Sequence, residues 1–242
     1  MTGIIVIPAR YASTRLPGKP LADIHGKPMI QWVVEQASRA KGFQSVWVAT
    51  DDVRIERAVK KFGGNVMMTS AELPSGTDRV AAVADQVKAD FYVNVQGDEP
   101  LIALQAIEAC ARLLQRFEMS TIMSPMTTPE ELNNPNVVKV LADCQDRAIY
   151  FSRFPIPHSR EKRGEPPFVS FRHVGLYGYR RETLFRLRSL PVSPLERAES
   201  LEQLRALENG ISIGITKVDF ESVGVDTPED LDRVRGILKT RG

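Results

Sequence analysis

Little in this sequence points to a covalent or redox centre. Its 242 residues include only two cysteines, Cys110 and Cys144, without CxxC spacing, so neither a disulfide framework nor a zinc site follows. Cys110 falls in the apolar pattern of a helix and reads as a core residue. The three histidines, His25, His158 and His173, lack metal-ligand spacing, and no GxSxG elbow is present. GxGxxG and GxxxxGK[ST] are also missing, which removes the dinucleotide fingerprint and the Walker loop. No apolar run approaches about 18 residues, and no charged segment precedes a signal-like stretch. A soluble, reduced, cytoplasmic protein with no membrane partner is expected. Aromatics are 7% and the formal net charge is +2, with acids and bases interspersed. A basic stripe with stacking platforms is absent, so no nucleic-acid partner is expected. The densest basic run, Arg180, Arg181, Arg186 and Arg188, reads as the solvated face of a short helix.

What is present is an ordinary globular composition, 43% apolar and 26% charged, long enough for a substantial core. The first half alternates strand and helix patterns. A β-branched run at Ile4–Ile7 reads as a strand buried on both faces. Further strands are expected at 45–49, 65–68, 91–95 and 120–126, and helices at 28–41, 53–62, 78–87 and 103–117. Pro28 is read as the first helical residue and Gly42 as the stop. Repeated βα units predict a mostly parallel central sheet with helices on both faces. From about residue 135 the rhythm changes. A hairpin is expected from 137–141 and 148–152, then a proline-rich loop over 153–171, a strand at 173–179, one long helix over 194–209, a strand at 211–218 and a last helix from Pro228. The expectation is a single domain over 1–242 with an inserted hairpin-and-helix arm at roughly 135–210.

Four constellations have chemical potential. About twenty residues follow the first strand before helical periodicity resumes, and they hold Arg10, Arg15, Lys19 and Lys27 against one acid, Asp23. In open α/β sheets ligands sit outside the carboxyl ends of strands, where a cationic loop suits a nucleoside triphosphate; a merely solvated loop is the competing reading. Asp98, after the strand at 91–95, is either a hard ligand for Mg²⁺ and phosphate or a turn residue beside Gly97 and Pro100. Asp226, before the last helix, is either a second carboxylate of the same site or a helix-start acid. Ser75 to Arg79 enters a helix whose amides and hydroxyls either read a base or sugar or only cap that helix. With no nucleophile–base pair in view, phosphoryl or nucleotidyl transfer by positioning and charge neutralisation fits best.

Together these segments closely resemble the 3-deoxy-manno-octulosonate cytidylyltransferases (CMP-Kdo synthetases). The likeness runs in order along essentially the whole chain: IPARYASTRLPGKPL at 7–21, ATDD at 49–52, SGTDR at 75–79, NVQGDEP at 94–100, NPNVVKV at 134–140, YFSR at 150–153, HVGLYGYR at 173–180, LEQLR at 201–205 and GVDTPEDL at 224–231. The resemblance implies a nucleotide-diphospho-sugar transferase-like fold and a homodimer formed through the arm. It also implies a Mg²⁺-dependent reaction of CTP with Kdo to give CMP-Kdo and pyrophosphate for lipopolysaccharide synthesis. By position, Arg10 and Lys19 would hold the triphosphate, with Arg15 in the same substrate-binding set and Ala9 and Ser75 near the nucleoside. Asp98 and Asp226 would bind Mg²⁺, and with Arg10 and Lys19 they form the expected catalytic group. Arg79, Gln96, Arg153, His173, Tyr179, Glu202 and Gln203 would line the sugar site. The branch of the family acting on 8-amino-8-deoxy-Kdo has glutamine in place of Glu99 and asparagine in place of Asp226, so ordinary Kdo is favoured over it or another acidic sugar. A non-catalytic nucleotide-binding module would have lost Lys19 or a carboxylate, and neither is lost.

Overall fold

A computed structural model describes residues 1–12, 16–126, 128–158, 171–220 and 223–240. The chain forms two compact units, 1–108 together with 222–242, and 109–221. The segment 135–210 falls inside the second.

In the first unit β1 (Gly3–Ala9) leads to a two-residue hairpin, β2 (Asp23–Ile24) and β3 (Lys27–Pro28). Then come α1 (Met29–Ala37), β4 (Ser45–Thr50), α2 (Val53–Lys61), β5 (Asn65–Met68), α3 (Gly76–Gln86) and β6 (Phe91–Asn94). The sheet order is β6-β1-β4-β5, and every pairing is parallel. Every residue of β1 but Pro8 is buried, which is why its sequence is an unbroken apolar run rather than an alternating one. Because all four strands run the same way, their carboxyl ends share one edge. The turns after Ala9, Thr50, Met68 and Asn94 therefore emerge together, and these turns carry the chemistry.

Pro28 differs from expectation. It pairs with Asp23 across the small hairpin and caps α1 from outside, and α1 ends at Ala37. The hairpin occupies the residue that the helix-start pattern had claimed, and Trp32 fixes it by donating its indole hydrogen to Ile24 O at 2.9 Å.

The chain returns to this unit at its end. Val223, Val225, Leu231 and Val234 pack with Ile24 and Met29 in a separate apolar cluster. Val225 N donates to Asp98 O at 2.9 Å, which puts the neighbours of Asp98 and Asp226 in register. Thr227 caps α9 (Pro228–Lys239) through a reciprocal box with Asp230. The capping work thus falls to Thr227 and Asp230, and the carboxylate of Asp226 turns elsewhere.

In the second unit, α4 (Leu104–Leu113), within which the division falls, is followed by β7 (Met119–Ser124), α5 (Pro129–Asn133), β8 (Lys139–Ala142), β9 (Ala148–Ser152) and β10 (Phe171–Arg180). The last elements are α6 (Arg181–Ser189), α7 (Pro194–Glu199), α8 (Gln203–Glu208) and β11 (Ile213–Lys217). Strand β7 lies between β11, parallel to it, and β10, antiparallel. Strand β8 pairs antiparallel with both β10 and β9. The expected hairpin is therefore present as β8 and β9. Its turn is held by Asp143, whose Oδ1 accepts from Gln145 N at 2.8 Å and Arg147 N at 2.9 Å.

The single helix expected over 194–209 is instead two. Ser200 adopts a left-handed conformation (φ 52°, ψ 48°) between α7 and α8. A tertiary contact explains the break: the carboxylate of Glu199 accepts from Ser152 Oγ at 2.6 Å and Arg153 N at 2.9 Å. Helical periodicity on both sides of Ser200 gives no sign of that pull.

Substituting Thr227→Ala removes the cap that sets the approach of Asp226. A loss of about 1 kcal/mol in unfolding free energy is expected, read from the urea midpoint at unchanged slope.

Candidate active site

Six of the residues singled out from sequence come together. A cavity of about 360 Å³ at the carboxyl edge of the first unit's sheet is lined by Ala9, Arg10, Lys19, Gln96, Asp98 and Asp226. Gly18 makes the turn into Lys19 with φ 69°, a left-handed conformation that glycine takes without steric cost. Gly97 is required for a different reason. A Cβ there would stand 2.8 Å from Pro8 O, so only glycine lets the Gln96–Asp98 turn close against the end of β1.

Lys19 is the centre of the cavity. Its ammonium lies 2.6 Å from Asp98 Oδ2 and 3.1 Å from Asp226 Oδ1. Burial works against the charged form, but the two carboxylates outweigh it, and the lysine pKa is raised above its ordinary value. Lys19 is therefore a fixed cation at any physiological pH. Among the described residues no three His, Cys, Asp or Glu side chains cluster as a metal site. Asp98 and Asp226 are two carboxylates, hard oxygen donors of the type that could hold a divalent cation together with phosphate and water.

A roomier groove of about 570 Å³ lies at the amino end of β4 and β5, between Phe43 and Phe62. Its one carboxylate, Glu35, is already paired with Lys27 at 2.8 Å. Nothing there matches a polyanion, so the smaller, charged cavity is the candidate.

The chain matches the cytidylyltransferase family over residues 4–213. A 3-deoxy-manno-octulosonate cytidylyltransferase from Solibacter usitatus is 51% identical over 97% of this chain and 93% of its own. The structure of a CMP:2-keto-3-deoxy-manno-octonic acid synthetase complexed with CTP superposes with a TM-score of 0.94 at 44% identity, covering all of both chains. A glucose-1-phosphate thymidylyltransferase structure from Bacillus anthracis shares the fold alone, with a TM-score of 0.67 at 14% identity over 97% of this chain and 94% of that one. The chain belongs to the 3-deoxy-manno-octulosonate cytidylyltransferases. The fold is the mixed α/β arrangement of nucleotidyltransferases, with a mostly parallel sheet flanked by helices.

The remaining residues that the cytidylyltransferase resemblance singled out are less uniform. Arg15 lies outside the described residues, as does 159–170 of the proline-rich loop. Ser75 caps α3, exchanging hydrogen bonds with Asp78. That helix start abuts the end of β1, since a Cβ on Gly76 would sit 3.5 Å from Pro8 Cγ. Arg79 has no exposed surface. Its Nη2 is 2.6 Å from Asp51 Oδ2, and burial, opposed by Asp51, pushes its pKa down. So enclosed, the side chain presents no surface to a ligand in this conformation.

In the second unit Arg153 is also committed to the protein. Its guanidinium donates to the carbonyls of Glu199 at 2.8 Å, Pro135 at 3.0 Å and Ser200 at 3.3 Å. Below it, the buried ammonium of Lys139 donates to the carbonyls of Asn134 at 2.9 Å, Val137 at 2.7 Å and Arg153 at 2.5 Å. Neither role is visible in the sequence. His173, Tyr177 and Tyr179 form a chain of rings with centroids 5.3 and 6.1 Å apart. Tyr177, not singled out beforehand, links the other two. Burial first, then Tyr179 and Glu202, hold its phenol well above the usual range, which places the charge of Glu202 near this ring. Gln203 is buried, and its Nε2 has no hydrogen-bond partner among the described residues. A buried donor without an acceptor costs about 1–3 kcal/mol.

His173 Nε2 is 2.9 Å from Thr121 Oγ1. The hydroxyl's one proton is best spent on Leu176 O at 2.8 Å, so the imidazole Nε2 is the donor. Burial lowers its pKa to about 3; the residue's partial exposure moderates that shift without reversing it. An unfolded imidazole titrates near 6.5, so below that pH the unfolded chain takes up the proton first. Stability should be unaffected by this group above about pH 6.5 and fall as pH drops toward 3. Melting temperatures of wild type and His173→Gln should converge in slope only above that window.

Proposed function

We propose that this protein, a nucleotidyltransferase, transfers the cytidylyl group of CTP to the anomeric hydroxyl of Kdo, giving CMP-Kdo and pyrophosphate. The observation that carries this reading is the ammonium of Lys19 set between two carboxylates distant in sequence, in a cavity that Arg10 also lines. The names of the close relatives supply the sugar and the nucleotide.

The chemistry explains the residue types. The attacking hydroxyl oxygen belongs to a sugar that carries its own carboxylate, and the α-phosphorus is surrounded by anionic oxygens. Two unit negative charges about 4 Å apart at an effective dielectric of about 20 repel by about 4 kcal/mol, or about three powers of ten in rate. Arg10 and Lys19 offset this by binding the triphosphate and stabilising pyrophosphate as the phosphorus–oxygen bond to it breaks. Magnesium is part of the proposal. Asp98 and Asp226 would hold it, and when bound it supplies positive charge that favours ionisation of the attacking hydroxyl, whose proton passes to water. Glu99 and Asp226 support ordinary Kdo over its 8-amino analogue.

Two further parts of the reading concern setting. Exposed Ile149, Phe154, Val192 and Leu195 in the 135–210 arm support a homodimer through that arm. Among the described residues no helix is long and apolar enough to cross a membrane, consistent with action in the cytoplasm for lipopolysaccharide synthesis.

The test is pyrophosphate release with CTP and Kdo, its 8-amino analogue or a sialic acid. Kdo should be the preferred acceptor. Asp98→Ala should lose about three powers of ten in turnover with Mg²⁺; near-normal turnover would remove Asp98 from the site. Lys19→Ala should raise the KM for CTP far more than that for Kdo, and the reverse pattern would refute the triphosphate assignment.

A further inference from the structure

Arg79 lies one turn into α3, beyond Ser75, and its side chain runs back beneath the loop that precedes the helix. Nη2 meets Asp51, just past β4, and Nη1 donates to Thr69 Oγ1, just past β5. Thr69 is itself bound to the end of β4, its N and Oγ1 both directed to Thr50 O, at 2.8 and 3.2 Å. One guanidinium therefore joins α3 to the carboxyl ends of two strands, at the root of the loop 69–75. Farther out, Glu72 N donates to Ser70 Oγ at 3.1 Å, and Leu73 O accepts from Arg10 Nη2. The loop is thus gripped at its base by Arg79 and near its tip by a residue that lines the cavity.

Stability alone does not account for this arrangement. With Arg79 buried and Asp51 mostly so, the pair carries much of the desolvation cost of a buried ion pair, which stabilises no better, on average, than apolar side chains of the same volume. Here Nε of Arg79 has no acceptor among the described residues either, and that orphaned donor is a further cost. What an apolar side chain could not reproduce is the placement of two acceptors, Asp51 and Thr69, by one rigid fork.

Building on the CTP reading above, we propose that the Arg79–Asp51 pair, with Thr69, is a positioning device for the nucleoside. It holds loop 69–75 against Arg10 so that the cytidine end of the nucleotide is seated while the triphosphate lies along Arg10 and Lys19. Arg79 acts through the loop and touches neither substrate.

The experiment compares full-length wild type with Asp51→Asn, Arg79→Lys and Thr69→Val. Steady-state kinetics vary CTP and Kdo in turn, and calorimetric titration measures CMP binding. The KM for CTP should rise about tenfold for Asp51→Asn and severalfold for Thr69→Val, since sub-ångström misplacement of a binding element has effects of this order. CMP affinity should weaken by matching factors, and the KM for Kdo should stay within about twofold. Lysine at position 79 keeps the charge but not the fork, so it should not restore CTP affinity. A rise confined to the KM for Kdo, a parallel rise in both, or no change in either overturns the proposal. Should the ion-pair variants fail to fold, Thr69→Val still decides, because it removes a single hydroxyl, the acceptor for Arg79 and a donor to Thr50 O, and leaves the Arg79–Asp51 pair in place. Failure of wild type to bind CMP would instead refute the CTP reading itself.

Discussion

Two aspartates far apart in the chain meet one lysine, and most of the first unit can be understood as the means of arranging it. Like charges at that range repel, so Asp98 and Asp226 approach each other only because Lys19 lies between them. Each reaches the meeting point by a different route. Lys19 follows a left-handed glycine, Asp98 follows a glycine pressed against the backbone of β1, and Asp226 is carried by Val225, whose side chain is in the core and whose amide is bonded to Asp98 O. The parallel sheet contributes the shared edge at which the turns can converge. The chemistry of the site and the apolar packing of the C-terminal helix are thus one structural problem.

The parts of this arrangement written in local pattern were legible from the residues. A β-branched run identified β1, apolar strand patterns identified β4 and β6, and Thr227-Pro228 with the acids behind it identified the start of α9. Asp98 and Asp226 stood out because they end apolar strands or precede a capped helix. Their proximity was not legible, since no local rule relates residues so distant in the chain, and the family resemblance supplied it. The misreadings share a cause. Pro28 has a helix-start signature but belongs to a hairpin fixed by Trp32, and Ser200 interrupts a periodic segment because Glu199 is drawn to Ser152 and Arg153. In both cases a contact from elsewhere overrides local propensity.

Cations engaged by the protein itself were the least legible feature. The resemblance assigned Arg79 and Arg153 to a sugar, and Lys139 was not singled out. In the folded protein all three donate to groups of the protein itself, mostly carbonyl oxygens. Charge type alone does not distinguish a side chain that faces a substrate from one that fixes the loop beside it. The environment does, through burial and through the number of donors already engaged. The ring of His173 makes a similar point, because burial favours its neutral form.

The two cations Arg10 and Lys19 balance the two anions Asp98 and Asp226, so the cavity has almost no formal net charge. Such a site exerts little long-range pull on passing ions of either sign. Discrimination is deferred to contact distance, where a ligand must offer oxygens to one pair of side chains and a cation to the other. A lone phosphate or a lone divalent ion meets only half of that demand.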